Sequence, residues 1–198
     1  MESEKLDLDY FGILSGISET IVTTTQVSLP NAAPIGIIRK DNKVLVRLFK
    51  GSQTYENVCE GNFLVANVVN NPLIFVRSTF SDLDNSYFDV VSVGDREFPV
   101  LNDALSWVAF ECSSTKITSE ALVAELNPIF ARLNRCVVSA PNRGFNAVLE
   151  ATVHATRYRL TGDDEYLKLI QMYARLAVKC GNERDKLAME MLYDFLGL

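Results

Sequence analysis

A chain of 198 residues with 48% hydrophobic content holds one large domain, or a domain with a sizeable appendage, around a core of ordinary size. A formal net charge of −6 and a pI near 4.9 exclude the broad basic face that nucleic-acid binding needs. No uncharged apolar run is long enough to span a bilayer, so no membrane segment is expected.

The N-terminal MESEKLDLDYFG is acidic and lacks the basic and apolar regions of a secretory signal. Residues 1–15 read as a short lead-in. Ile17 to Gln26 is rich in β-branched residues and reads as a strand. Ser28-Leu29-Pro30-Asn31 is a turn signal, and Ala33 to Arg39 resumes extended structure. Asp41-Asn42 is the hairpin turn into Lys43 to Phe49, where Val44, Val46 and Leu48 face one way and Arg47 shares the other face with Phe49. Ser52 caps a short helix that ends near Gly61. Asn62 to Val69 is a strand stopped by Asn71-Pro72. Leu73 to Phe80 reads as a further strand, Phe88 to Val93 as a short one before a turn at Gly94-Asp95-Arg96, and Ala104 to Thr118 as a strand from about Trp107. Ser119 to Arg135 stays open. Leu122, Leu126, Ile129, Phe130 and Leu133 fit a helical stripe, Pro128 inside it disfavours an unbroken helix, and a strand pair closing a sheet around Asn127-Pro128 is the alternative.

From Pro141 the chain reads as three helices. Asn142, Asp163 or Asp164, and Asn182 are the caps, with Gly162 and Gly181 ending the first two. Their apolar lines are Phe145, Val148, Leu149, Thr152, Val153 and Leu160; then Leu167, Ile170, Tyr173, Ala174 and Ala177; then Leu187, Ala188, Met191, Leu192 and Phe195. The fold class is therefore α+β, with a strand-rich body over residues 1–138 and a helical region over 139–198.

The chemistry points to two segments. Arg47, Lys50, Ser52 and Thr54 put charge and hydroxyls where a strand turns into a helix, an arrangement suited to a phosphate. Taken alone, KGSQT reads first as a solvated loop with a helix cap, and no P-loop motif is present. Asn31-Ala32-Ala33-Pro34-Ile35-Gly36 has small residues that let backbone approach a flat ligand, with Asn31 able to bond a heterocycle edge. Alone, it reads as a turn and a packed strand. Arg143 opposes the dipole at the start of its helix, which suggests an anionic partner, a ligand or an acidic residue. Asp163, Asp164, Glu183 and Asp185 are explained by helix starts. With His154 as the one histidine, neither a triad nor a His-rich metal site can be assembled, and no catalytic or metal-binding residue is expected. Cys59, Cys112, Cys136 and Cys180 are scattered, without a CxxC pair, and read as free thiols of a reducing cytoplasm.

In their order, SETIVTT (18–24), NAAPIG (31–36), VRLFKGSQTYENV (46–58), VANVVNNP (65–72) and PNRGFNAVLEATVHATR (141–157) resemble the flavin-reductase-like FMN-binding split barrel. They are most similar to an archaeal family of uncharacterised FMN-binding proteins within that fold. The resemblance implies an antiparallel split β-barrel with a C-terminal helical subdomain, and a homodimer with FMN at or near the interface. It places the phosphate at Arg47, Lys50, Ser52 and Thr54, with Tyr55 and Asn57 nearby, and the flavin ring against Asn31 to Gly36. It adds Asn142 and Arg143, with Arg143 reaching the cofactor. It implies a flavin-dependent oxidoreductase, reduced transiently by NAD(P)H, or alternatively a flavin carrier or sensor without turnover.

Overall fold

The computed structural model describes residues 6–26 and 29–198. The chain divides into two units, Met1–Asn70 with Leu83–Val137 and Asn71–Asp82 with Val138–Leu198.

The first unit is a closed antiparallel barrel. Its strands are β1 (Gly16–Gln26), β2 (Leu29–Lys40), β3 (Lys43–Phe49), β4 (Phe63–Val68), β7 (Ser106–Ile117) and β8 (Ala121–Leu133), in the order β1-β2-β3-β8-β7-β4. Helix α1 (Gln53–Gly61) lies between β3 and β4, and a hairpin of β5 (Phe88–Val93) and β6 (Arg96–Leu101) forms a separate two-stranded sheet. Asp41 and Asn42 both take positive φ, 51° and 62°, as a two-residue hairpin turn between right-twisted strands requires. The β1–β2 ladder runs from Gly16↔Arg39 to Gln26↔Leu29, and β1 closes the barrel onto β4 at Ile21↔Asn67.

Alternation along these strands builds two cores. Val22, Ile37, Val46, Leu48, Leu64, Val108, Phe110, Leu122, Ala124 and Leu126 fill the barrel. Leu8 and Ile13 join them, so the expected lead-in supplies plugs to the barrel. On the outside, Val65, Trp107 and Ala109 meet Phe98 and Val100 of β6.

Several sequence expectations are corrected here. Leu29, Pro30 and Asn31 already belong to β2, paired with Gln26, Thr25 and Thr24, while Ser28 lies outside the described residues. Residues 119–135 resolve as turn and strand. Leu122, Ala124 and Leu126 bury at period two, and Pro128 sits at a bulge, since Ala109 pairs Phe130 and Phe110 pairs Pro128. The segment after the Gly94 turn forms β6, whose Pro99 is tolerated in a two-stranded sheet.

Leu73 to Phe80, expected as a strand, is helix α2 (Pro72–Phe80) of the second unit. Its β-branched and aromatic content suits a strand, but Asn71 is an N-cap accepting from Leu73 N at 3.2 Å, with Pro72 in the first turn. Cap and proline together start a helix that propensity disfavours. The second unit adds α3 (Arg143–Thr161), α4 (Asp164–Cys180) and α5 (Glu183–Leu196). Asn142, Asp163 and Asn182 cap them as read from sequence. The buried line of α3 differs from the expected one: Ala147, Val148, Ala151 and Ala155 face the core, while Leu160 is 85% exposed. Alanines Ala174, Ala177 and Ala188 meet them, so this core is built on close helix approach. In α5, Leu187 is likewise exposed, and Ala188, Met189 and Leu192 are buried.

Candidate functional site

The turn from β3 into α1 is set by local chemistry. Gly51 has φ +83°, a value its neighbours could adopt only under strain. Ser52 caps α1: its Oγ accepts from Tyr55 N at 3.2 Å and donates to Phe49 O at 2.8 Å. Lys50 N donates to Glu120 O at 3.0 Å, tying the turn to the start of β8. Asn62 ends the helix in the left-handed region at φ 60°.

Beneath this turn lies a polar network at one end of the barrel. Asn31 Nδ2 donates to Thr54 Oγ1 at 2.9 Å and lies 3.5 Å from Thr24 Oγ1. Asn57 Nδ2 donates to Thr24 Oγ1 at 2.9 Å, and Gln53 Nε2 donates to Asn57 Oδ1 at 2.7 Å. Thr24, Thr54 and Asn57 are buried. The structure therefore brings Asn31, Thr54 and Asn57 together and gives them partners within the protein. Thr24 and Gln53 complete the set and were not singled out from sequence. The only signal was the Thr23-Thr24-Thr25 run, whose alternation sends Thr24 to the α1 side and Thr23 under β6, where it donates to Pro99 O.

The outer surface carries the charge. Arg47 lies on the exposed face of β3, its guanidinium 5.1 Å from the Phe49 ring centroid and 3.5 Å from the Glu120 carboxylate. Lys50 is exposed at the turn. These cations stand beside the N–H-rich first turn of α1, the positive end of the helix. Ser52 and Thr54, also expected at a phosphate, spend their hydroxyls on the cap and the buried network.

Along β2, Ile35 packs on the barrel core, so by alternation Ala33 shares its inward side and Ala32, Pro34 and Gly36 line the other. Of that stripe Ala32 is buried, and the Ile17 and Glu19 side chains of β1 lie over Gly36. A Cβ on Gly36 would stand 2.7 Å from Ile17 Cγ2, so a larger residue here would require the diagonal neighbour on β1 to shift. Tyr55 packs against the barrel core. Its phenol pKa is raised, first by its hydrogen bond to Cys59 and then by burial. Burial pushes the Cys112 thiol up to about 11.

Asn142 and Arg143 belong to the second unit. Asn142 Oδ1 accepts from Gly144 N at 2.8 Å and Phe145 N at 3.4 Å, and its Nδ2 donates to Asp185 Oδ2 at 3.2 Å. Arg143 opens α3 with its side chain exposed. His154 lies flat against Tyr173 and Tyr166, with ring centroids 5.7 and 6.1 Å away. Among the described residues no group of three His, Cys, Asp or Glu side chains is placed to hold a metal ion. None of the described helices is long and apolar enough to cross a membrane.

Comparison with known proteins matches this geometry to a family. Residues 18–135 match the model of the N-terminal domain of a protein of unknown function, DUF447, and residues 142–194 match a second DUF447 model. An FMN-bound protein from Methanosarcina mazei, itself of DUF447, is 53% identical, with a TM-score of 0.91 over 96% of this chain and 100% of that one. An uncharacterised protein from Methanocaldococcus jannaschii is 42% identical over 69 residues, 35% of this chain and 35% of its own length. The match thus spans about a third of that curated relative. A flavoredoxin from Methanosarcina acetivorans is 13% identical, with a TM-score of 0.53 over 70% of this chain and 79% of that one, and it shares the split-barrel fold.

Proposed function

The chain belongs to the DUF447 family, an archaeal branch of the flavin-reductase-like split barrels, and from that premise we propose that it binds FMN and acts as an FMN-dependent oxidoreductase. The likeness at 53% identity to an FMN-bound protein, along the whole of that protein, carries the reading.

The residues present fit the cofactor. A phosphate dianion needs charge and N–H donors, and Arg47, Lys50 and the first turn of α1 provide both on one exposed surface. A flat ring needs backbone it can approach closely, and Pro34 and Gly36 on β2 carry little side chain of their own, with Ala32 buried beside them and Ile17 standing over Gly36. Thr54, Asn57 and Asn31 act behind that surface: their buried bonds hold α1 to β1 and β2 and so fix the turn. FMN would supply the hydride or electron transfer itself. The chain's part is to bind, orient and shield.

The proposal includes a homodimer with the flavin near the interface, NAD(P)H as a passing donor and a cytoplasmic location. The test is the visible spectrum of the purified protein. A yellow protein whose released pigment is FMN, bleached anaerobically by NADH or NADPH, is the expected result. A colourless protein that takes up no added FMN overturns flavin binding. Persistent colour with either donor overturns the reductase reading alone. Light scattering of the eluted protein at the mass of two chains checks the dimer.

A further inference from the structure

We propose that a second small-molecule site lies in the cleft between the end of α1 and the β5–β6 hairpin, and that it takes a single-ring compound bearing an sp2 oxygen acceptor. The cleft shares Thr24 and Asn57 with the network under the α1 turn, its lining includes neither Arg47 nor Lys50, and its test does not require bound FMN.

The cleft has a volume of about 210 Å3 and is lined by residues of β1, α1, β4 and β6. That is below the ~300 Å3 where pockets for drug-sized ligands begin, and it suits one ring with a substituent. Its walls are aromatic: Phe63 and Phe98 meet edge to face, with centroids 6.3 Å apart. At its rim Arg96 lies over the Phe63 ring at 3.9 Å, which fixes the plane of the guanidinium. Its ion pair with Glu111 is 3.8 Å long, beyond hydrogen-bond distance, so its in-plane N–H groups keep capacity for an oxygen acceptor.

The floor supplies a second donor. Thr24 Oγ1 receives the Asn57 amide at 2.9 Å and stands 3.5 Å from that of Asn31. A hydroxyl that accepts twice still has its own hydrogen to give. Thr24 is buried and lines the cleft, and a carbonyl or carboxylate oxygen on the ligand would answer that hydrogen. Glu97 and Glu111 stand near Arg96 and oppose a multiply charged ligand. The cleft is thus shaped for one flat ring, gripped at one oxygen-bearing end.

Benzoate and benzamide are the probes, with benzylamine as the control that lacks the acceptor. Each is titrated into the purified protein while backbone amide resonances are followed. Saturable shifts at Thr24, Phe63 and Arg96 are expected with benzoate or benzamide, with a Kd about millimolar, as suits a fragment of this size. The acid offers two equivalent anionic acceptor oxygens, and the amide one neutral carbonyl beside an NH2 donor; saturable binding of either supports the site. Arg96→Ala, an exposed substitution, should weaken the better probe about tenfold. Absence of saturable shifts with both probes, equal binding of benzylamine, or unchanged affinity in Arg96→Ala would each overturn the site.

Discussion

Asn57 donates its Nδ2 hydrogen to Thr24 Oγ1 at 2.9 Å, joining helix α1 to strand β1 across 33 residues of sequence. Both side chains are buried. Replacing Thr24 by Val keeps the shape and removes the acceptor, leaving the Asn57 amide buried without it. The expected loss is about 1–3 kcal/mol, the desolvation cost of an orphaned buried donor. Thr24→Ser should stay near wild type. Trp107, the single tryptophan and buried in the same unit, reports urea unfolding by fluorescence. A Val variant as stable as Ser would mean that the amide finds another partner.

The second unit depends on one glycine pair. A Cβ on Gly144 would stand 2.1 Å from Gly181 Cα, a backbone atom that no rotamer change can move. Gly144→Ala should therefore cost about 3 kcal/mol or more, at the upper end of overpacking. Gly162 is the comparison: φ is +68° and a Cβ there meets nothing within 4 Å. Gly162→Ala should cost only the left-handed penalty, about 1–2 kcal/mol. Thermal melts of the two variants test the order; a reversed order would remove the close α3–α4 approach as a constraint.

These residues also mark what the sequence could disclose. Ser52, Asn142 and Asn182 were legible as caps because a cap acts within three residues of itself. The Asp41-Asn42 turn was legible for the same reason. Leu73 to Phe80 has the β-branched and aromatic composition of a strand, and the Asn71 cap with Pro72 starts a helix against that propensity. The closure of β1 onto β4 at Ile21↔Asn67 was hidden, since pairing at that separation leaves no local trace. So was the network of Thr24, Asn31, Thr54 and Asn57, whose members stand on three separate elements. The charged rim of Arg47 and Lys50 reads by itself as a solvated loop, and only its place among the motifs that resemble the split barrel singles it out. That Ser52 and Thr54 turn their hydroxyls to structural partners could be learned only from the fold.

The proposed phosphate site should respond to loss of its cations. Arg47→Ala and Lys50→Ala each remove a charge from the rim while leaving the Ser52 cap intact. Each should weaken FMN binding by about 1.5–3 kcal/mol, roughly one to two orders of magnitude in Kd. Lys43→Ala, on the same strand but paired with Glu125 at 2.8 Å, is the control and should leave Kd unchanged. Fluorescence quenching of titrated FMN gives the constants. Equal constants in all three variants would take the phosphate away from this turn.

The cysteines should separate by burial. Cys112 is half-buried, and burial pushes its thiol up to about 11, with Cys59 and Glu111 adding to the rise. A folded pKa raised above the unfolded value of about 8.5 favours the neutral thiol in the folded state. That stability is fully present below pH ~8.5 and is lost as pH climbs through about 11. Because the thiolate is the reactive form, Cys112 should also resist alkylation at pH 8, while the exposed Cys136 and Cys59 should react first. Iodoacetamide labelling followed by peptide mass spectrometry reads each site separately. Cys112→Ala should flatten the decline in stability between pH ~8.5 and about 11 without changing it at pH 7 beyond a packing offset. Labelling of Cys112 as fast as Cys59 at pH 8 would show that the thiol is open to water and that its pKa is not raised.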